Sequence, residues 1–272
     1  MKKFLAILMI LALTIGLSSC IREHTYDDLL SDYQNDIEAR QDIYENYIKL
    51  YDVLSTQTIK SIVKVTKTTT SPSFISIGSG FIFHEDETLF YVLTNNHVVY
   101  KEDGISQTVT VTDYLGKSRT ATVLAADEAY DLAVVSFSKI GANLEVLPFS
   151  NEGLTFKDKV IVMGYPDGQV NGITLGEFVD YDEIDVSSES YTNHIDFPVL
   201  IIDAPVEAGS SGSVVLNENF EIVGIVYAGN FLNGSTISEY AFSVPESYIF
   251  QFLDLYTIPY QNEVASWKNW AF

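Results

Sequence analysis

Hydrophobic and polar positions change their period three times along the chain. Phe4 to Leu17 is an almost unbroken apolar run preceded by Lys2 and Lys3. It is shorter than the ~20 residues that a membrane-spanning helix needs, and it fits the apolar core of an export signal. Residues 22–57 then lack Gly and Pro, and Tyr26, Leu30, Tyr33, Ile37, Arg40, Tyr44, Tyr47, Tyr51 and Leu54 recur at alternating steps of four and three. That spacing predicts one amphipathic helix. Read as a heptad seam it suggests coiled-coil pairing, and so oligomerisation through residues 22–57. Tyr is a poor seam residue and Arg40 interrupts it, so a spacer, or a helix laid on the following domain, is the plainer expectation.

From about Ile59 the pattern turns to short β runs. They fall at 61–65, 75–83, 89–95, 108–114, 121–127 and 131–137, then at 159–165, 172–180, 198–204, 213–217, 221–229 and 239–245. Gly, Pro and Asn-rich turns separate them and no helical stretch intervenes, which predicts all-β barrels or sandwiches. The Thr/Ser stretch 66–73 reads as a loop. Residues 246–256 have helical spacing that stops before Pro259. No internal repeat is visible.

Composition narrows the function classes. Of 272 residues 47% are hydrophobic, enough for a real core, and 17 Tyr and 16 Phe suit strands better than helices. Acids outnumber bases 37 to 15, which argues against nucleic acid as a partner. The single cysteine, Cys20, excludes a disulfide framework and any cysteine-built metal site. Leu17-Ser18-Ser19-Cys20 resembles the bacterial lipobox. The resemblance implies a mature chain that starts at Cys20 and is held by acyl chains, palmitate among them, on the outer face of a bacterial membrane. Loss of Lys2 and Lys3 leaves 37 acids against 13 bases, a net charge of −24. Anionic lipid would then repel the surface, and Cys20 would carry the attachment.

Three segments carry candidate chemistry. His97 stands in Leu93-Thr94-Asn95-Asn96-His97-Val98-Val99, where a strand runs into the imidazole. Asp131 opens Asp131-Leu132-Ala133-Val134-Val135, an acid at the start of a buried strand that needs a hydrogen-bonding partner. Gly209-Ser210-Ser211-Gly212-Ser213 has linker-like composition, yet apolar strands flank it, so it reads as a tight bend. Glycines at 209 and 212 let the backbone turn its amides toward one point, as an oxyanion hole requires. The GxSxG elbow of α/β-hydrolases is not met, because Ser213 stands where the last Gly belongs.

In that order these segments resemble the His, Asp and Ser motifs of chymotrypsin-like serine proteases, especially the HtrA/Deg and glutamyl endopeptidase branches. Gly78-Ser79-Gly80-Phe81, Gly164-Tyr165-Pro166 and Ala241-Phe242-Ser243-Val244-Pro245 add to the likeness, which spans roughly residues 58–255. It implies two six-stranded antiparallel β-barrels with an N-terminal amphipathic helix and a short C-terminal helix. The expected division is a lipoprotein signal (1–19), an acidic helical tether (20–57), a protease domain (58–256) and a tail (257–272). The resemblance further implies Ser211 as nucleophile, His97 as base and Asp131 as its orienting acid, with the amides of Gly209, Ser210 and Ser211 around the oxyanion. Val206, Val226, Tyr227, Ala228 and Gly229 would line the substrate, with Tyr227-Ala228-Gly229 pairing to it as a strand. Neither metal nor cofactor is implied, and the partners are protein or peptide substrates.

Departures from the family pattern shape the expectation. Ser210 replaces the usual Asn or Asp, so activation by a buried Asp–amine pair does not transfer. Ser213 replaces a usual Gly, although the glutamyl branch also has Ser there. Val226 stands where that branch reads an acidic P1 side chain, and Pro205 and Val206 offer no carboxylate to Lys or Arg. A small or apolar P1 residue is expected, with Glu207 at the border of the pocket. With only a tail expected after residue 256, PDZ-driven activation is not expected to transfer. The alternative reading is a catalytically impaired, protease-like scaffold lipoprotein.

Overall fold

The computed structural model describes residues 25–101, 104–170, 172–188, 191–231 and 235–260. Cys20, the apolar run before it and His24 lie outside them. The chain divides into two compact units, one up to Tyr51 and one from Asp52 onward.

Helix α1 (Tyr26–Thr56) starts where Thr25 and Asp28 cap each other. Asp28 N–H donates to Thr25 Oγ1 (3.2 Å), while Thr25 N–H and Oγ1–H donate to the Asp28 carboxylate (3.0 and 2.8 Å). This reciprocal pairing satisfies two amide donors that the first turn leaves open. In the first unit Tyr33, Tyr44 and Tyr47 are exposed, whereas Leu54, in the second, is fully buried. Among the described residues no helix is long and apolar enough to cross a membrane.

Six strands close the first antiparallel barrel in the order β1-β2-β3-β6-β5-β4. They are β1 (Ile62–Thr70), β2 (Ser73–Glu85), β3 (Leu89–Thr94), β4 (Gln107–Thr112), β5 (Ser118–Asp127) and β6 (Leu132–Ser138). A one-turn helix, α2 (Asn96–Val99), follows β3. The inward residues form a Val-rich core that includes Val63, Val65, Ile82, Val92, Val111 and Val135. Full burial of each such side chain stabilises by about 1.5–3 kcal/mol. Bulges between Ile82 and His84 and between Val123 and Ala125 bend long strands around this core.

The second barrel closes in the order β11-β14-β13-β12-β7-β8. Its strands are β7 (Lys159–Gly164), β8 (Gly172–Asp182), β11 (Val199–Ile202), β12 (Val214–Leu216), β13 (Ile222–Gly229) and β14 (Ala241–Pro245). Val160, Val162, Leu200, Ile202, Val215 and Val226 belong to its core. A short hairpin, β9 (Asp185–Ser188) with β10 (Tyr191–His194), forms a separate two-stranded sheet. Helix α3 (Glu246–Leu255) buries Ile249, Phe252 and Leu253. Phe252 packs near Tyr130 (ring centroids 6.0 Å), so α3 braces the turn that precedes β6.

Two segments differ from the sequence expectation. The stretch 66–73 is not a loop: β1 runs to Thr70 and pairs with β2 as far as Thr70↔Ser73. Its alternation persists in polar residues, since Lys67 and Thr69 are buried and Lys67 Nζ donates to the Tyr100 carbonyl (2.9 Å). The hairpin β9–β10 had no apolar run to announce it.

Candidate active site

Asp131 bonds to His97, and both Val98 and Ser211 O lie against Gly78 of β2, where a Cβ would stand 2.6 Å from Val98 Cγ2 and 3.0 Å from Ser211 O. His97 is the second residue of α2, one turn past the end of β3 rather than on the strand itself. Asp131 sits immediately before β6 in a left-handed conformation (φ 48°), which Asp tolerates better than most side chains. Four hydrogen bonds hold it there against residues 95–97. Its carbonyl accepts from Asn96 N–H (3.1 Å) and from Asn95 Nδ2 (2.9 Å). Its carboxylate accepts from His97 N–H (3.0 Å) at Oδ1 and meets His97 Nδ1 at Oδ2 (2.7 Å). Asp131 is 1% exposed and the imidazole 23%, so the acid is sealed and the ring opens to solvent. With the carboxylate ionised it only accepts, so Nδ1 carries the proton and Nε2 is the basic atom.

Tyr227 adds a neutral neighbour. Burial and the nearby Asp131 charge push its phenol well above the usual range, so it stays protonated at working pH. Its hydroxyl is buried with no hydrogen-bond partner among the described residues. Burial raises Tyr165 in the same way, with Asp113 the adjacent charge.

The bend 207–213 is built by its own backbone. Ser210 N–H donates to Glu207 O (3.1 Å), Glu207 N–H donates to Ser210 Oγ (3.2 Å), and Ser213 N–H donates to Ser210 O (2.8 Å). The side chain of Ser210 therefore closes the loop in place of an acid, and its amide is turned inward to Glu207 rather than toward the cradle expected of it. Gly209 and Gly212 both have φ of 88°, which favours glycine. A Cβ on Gly212 would lie 2.0 Å from Ser79 O, so nothing larger fits. Gly212 N–H donates to Val226 O and Val226 N–H to Ser213 O (both 2.9 Å), which ties the bend to β13. Among the described residues the amides of Gly209 and Ser211 make no hydrogen bond. Ser211 itself is half-buried.

The expected substrate-lining residues separate into two groups. Val206 and Val226 both belong to the core of the second barrel, and Tyr227 is buried beside them. Ala228 and Gly229 remain half-exposed on β13, past a bulge between Val226 and Ala228. A cavity of about 360 Å³ lies behind the bend, with Val206, Glu207, Ser210, Ser213, Thr174 and Ile237 in its wall. Val226 to Gly229 do not line it. Among the described residues no group of three or more His, Cys, Asp or Glu side chains is placed to hold a metal ion.

Sequence reasoning passed over Ser79, Thr94 and Tyr165 as working parts. Ser79 is fully buried on β2, and its N–H donates to Ser211 O (2.7 Å). Thr94 Oγ1 donates to Ser79 O (2.7 Å). The available signal was Gly78-Ser79-Gly80, where small residues mark close backbone approach.

The family model described as "Trypsin-like peptidase domain" matches residues 78–225. The chain belongs to this family. It is 36% identical over 152 residues to "Serine protease Do-like HtrB" of Bacillus subtilis, which covers 54% of this chain and 31% of that protein. It is 32% identical over 181 residues to "Probable periplasmic serine endoprotease DegP-like" of Brucella suis, with 66% and 33% covered. The chain thus spans about a third of the length of these relatives. In fold it is similar to the active form of the Rv3671c protease from M. tuberculosis, at a TM-score of 0.62 and 23% identity, over 78% of this chain and 86% of that one.

Proposed function

We propose that the protein is an exported serine endopeptidase that hydrolyses peptide bonds with Ser211, His97 and Asp131. The observation that carries this reading is the sealed Asp131 carboxylate, 2.7 Å from His97 Nδ1, which leaves the opposite ring nitrogen as the basic one. Ser211 Oγ attacks the scissile carbonyl carbon and its proton passes to His97 Nε2. The carbonyl oxygen becomes an oxyanion that the amides of Gly209 and Ser211 receive, each such donor lowering the barrier by about 3 kcal/mol. Collapse breaks the C–N bond, and His97 returns the proton to the leaving amine. Water then repeats the sequence on the acyl-enzyme, and His97 again takes and returns one proton.

Val206, in the cavity wall behind the bend, supports a small or apolar P1 residue, with the Glu207 carboxylate bordering the same space. Ala228 and Gly229 offer a strand edge to the substrate backbone. Names of relatives support export, one of them being described as periplasmic. In this reading the lipid sits on Cys20, and helix 26–56 spaces the peptidase from the membrane or pairs with a second copy.

The test uses purified protein, a fluorophosphonate probe and a peptide library. Stoichiometric labelling and cleavage, both abolished by Ser211→Ala, are expected. Absence of labelling in the folded wild-type protein would overturn the reading.

A further inference from the structure

We infer that Ser79, a residue of the first barrel, is a positioning residue that holds the oxyanion-binding peptides of the second barrel in their receiving orientation. The inference rests on the endopeptidase reading above. Ser79 Oγ is wholly buried and fully used: it donates to Gly209 O (2.8 Å) and accepts from Tyr165 N–H (2.8 Å) and from Ser213 Oγ–H (3.2 Å). A hydroxyl has one proton and two lone pairs, so all three are engaged.

The consequence lies in how a peptide unit turns. Carbonyl and N–H point in opposite directions across a planar peptide. The Ala208–Gly209 unit is held by its carbonyl, which accepts from Asp167 N–H, and its Gly209 N–H points the other way. The next unit is held by Gly209 O on Ser79 Oγ and by Ser210 N–H on Glu207 O. Rotation of either unit would carry the Gly209 amide out of place. Ser79 restrains both, because the Tyr165 backbone that it also binds lies against Gly209: a Cβ there would stand 2.9 Å from Tyr165 O. Meanwhile Ser79 N–H holds Ser211 O, the carbonyl of the proposed nucleophile. One side chain and its own amide thus touch both ends of the segment that supplies the two donors.

The experiment compares wild type with Ser79→Ala and with the near-isosteric, weaker donor Ser79→Cys. Rates are normalised to active sites by fluorophosphonate titration, and inhibition by a peptide boronate is measured alongside. Loss of one oxyanion donor outright lowers kcat by about 10²–10³-fold, so a donor left misplaced is expected to lower it by about 10–100-fold. KM should stay within about threefold. Boronate affinity should fall in parallel with kcat, and Ser79→Cys should fall between wild type and Ser79→Ala. A residue serving only stability would lower the melting temperature and leave kcat per active site unchanged, and that result would overturn the inference. Should Ser79→Ala not fold, Ser79→Cys with wild-type kcat would overturn it equally. A wild-type protein that neither labels nor cleaves would instead sink the endopeptidase reading itself.

Discussion

Asp131 grips His97 twice, once through each carboxylate oxygen. Oδ2 meets the ring at Nδ1 (2.7 Å) and Oδ1 accepts the backbone N–H (3.0 Å). The acid therefore fixes both where the imidazole starts and how it is turned. A left-handed φ at Asp131 is the conformational cost, offset by the bonds from Asn95 and Asn96 to its carbonyl. Two turns that follow and precede different strands are in this way locked as one piece.

Asp131→Asn keeps the shape and removes the charge. An amide presents an N–H where Oδ2 accepted, or an oxygen without the charge, so the tautomer with basic Nε2 is no longer imposed. Peptidase kcat should fall by about 10³–10⁴-fold, with KM little altered. Steady-state kinetics on a cleaved library peptide checks this. A loss under tenfold would mean that the ring keeps its tautomer without the carboxylate.

Gly212→Ala places a methyl 2.0 Å from Ser79 O at a φ of 88°. Left-handed strain contributes about 1–2 kcal/mol and overpacking about 1–3 kcal/mol. The backbone of β2 cannot recede without breaking the Ser79 N–H bond to Ser211 O. Urea unfolding should show a loss of about 2–5 kcal/mol, and fluorophosphonate labelling of the folded fraction should drop with it. An alanine variant of wild-type stability would show that the bend has room that its geometry denies.

The barrels were legible in the chain because alternation survives wherever Val and Ile face inward, as along β1 at Val63 and Val65 and on β2 at Ile82. Beyond the core the same ladder continues in Thr, Ser and Lys, and composition then looks like a loop; Thr66 to Thr70 was misread for that reason. The motif residues His97 and Asp131 could be picked out because an acid or imidazole at the edge of a buried strand needs a partner. Asp131's left-handed turn leaves no such mark, since it is set by Asn95 and Asn96 far along the chain. Ser79 was hidden for a different reason. A lone hydroxyl between glycines has no spacing signature, and its role exists only once Tyr165 and Gly209 are brought to it from the other barrel.

Leu54 separates the end of helix α1 from the rest of its seam. It is the seam position that lies in the second unit, and it is fully buried. Leu54→Ala should destabilise the peptidase unit by about 2–5 kcal/mol in urea unfolding. Tyr44→Ser, on the exposed stretch within the first unit, should leave that unfolding midpoint unchanged. If both variants shifted it equally, the helix would be part of the unit's core along its whole length.

Asp86 gives a pH signature that is independent of the active site. Its carboxylate accepts from Thr88 N–H (2.7 Å), Leu89 N–H (2.8 Å) and Tyr91 Oη–H (2.8 Å) at the β2–β3 turn. The backbone bonds from Thr88 and Leu89, with the Tyr91 hydroxyl, lower its pKa from the ordinary 3.8 to about 2. The folded protein therefore binds fewer protons at this group than the unfolded chain between those two values. Its contribution to stability is complete above about 3.8 and is lost as the pH falls through about 2. Every other carboxylate is common to wild type and Asp86→Ala, and His84, whose protonated form the Asp86 charge favours, is replaced by Gln in both, so the difference between their melting temperatures isolates this one. That difference should be constant from pH 7 to pH 5, with wild type the higher, and should narrow steadily from pH 4 toward pH 2.5. A gap that stays the same width over the acid range would mean that the turn does not prefer the ionised form.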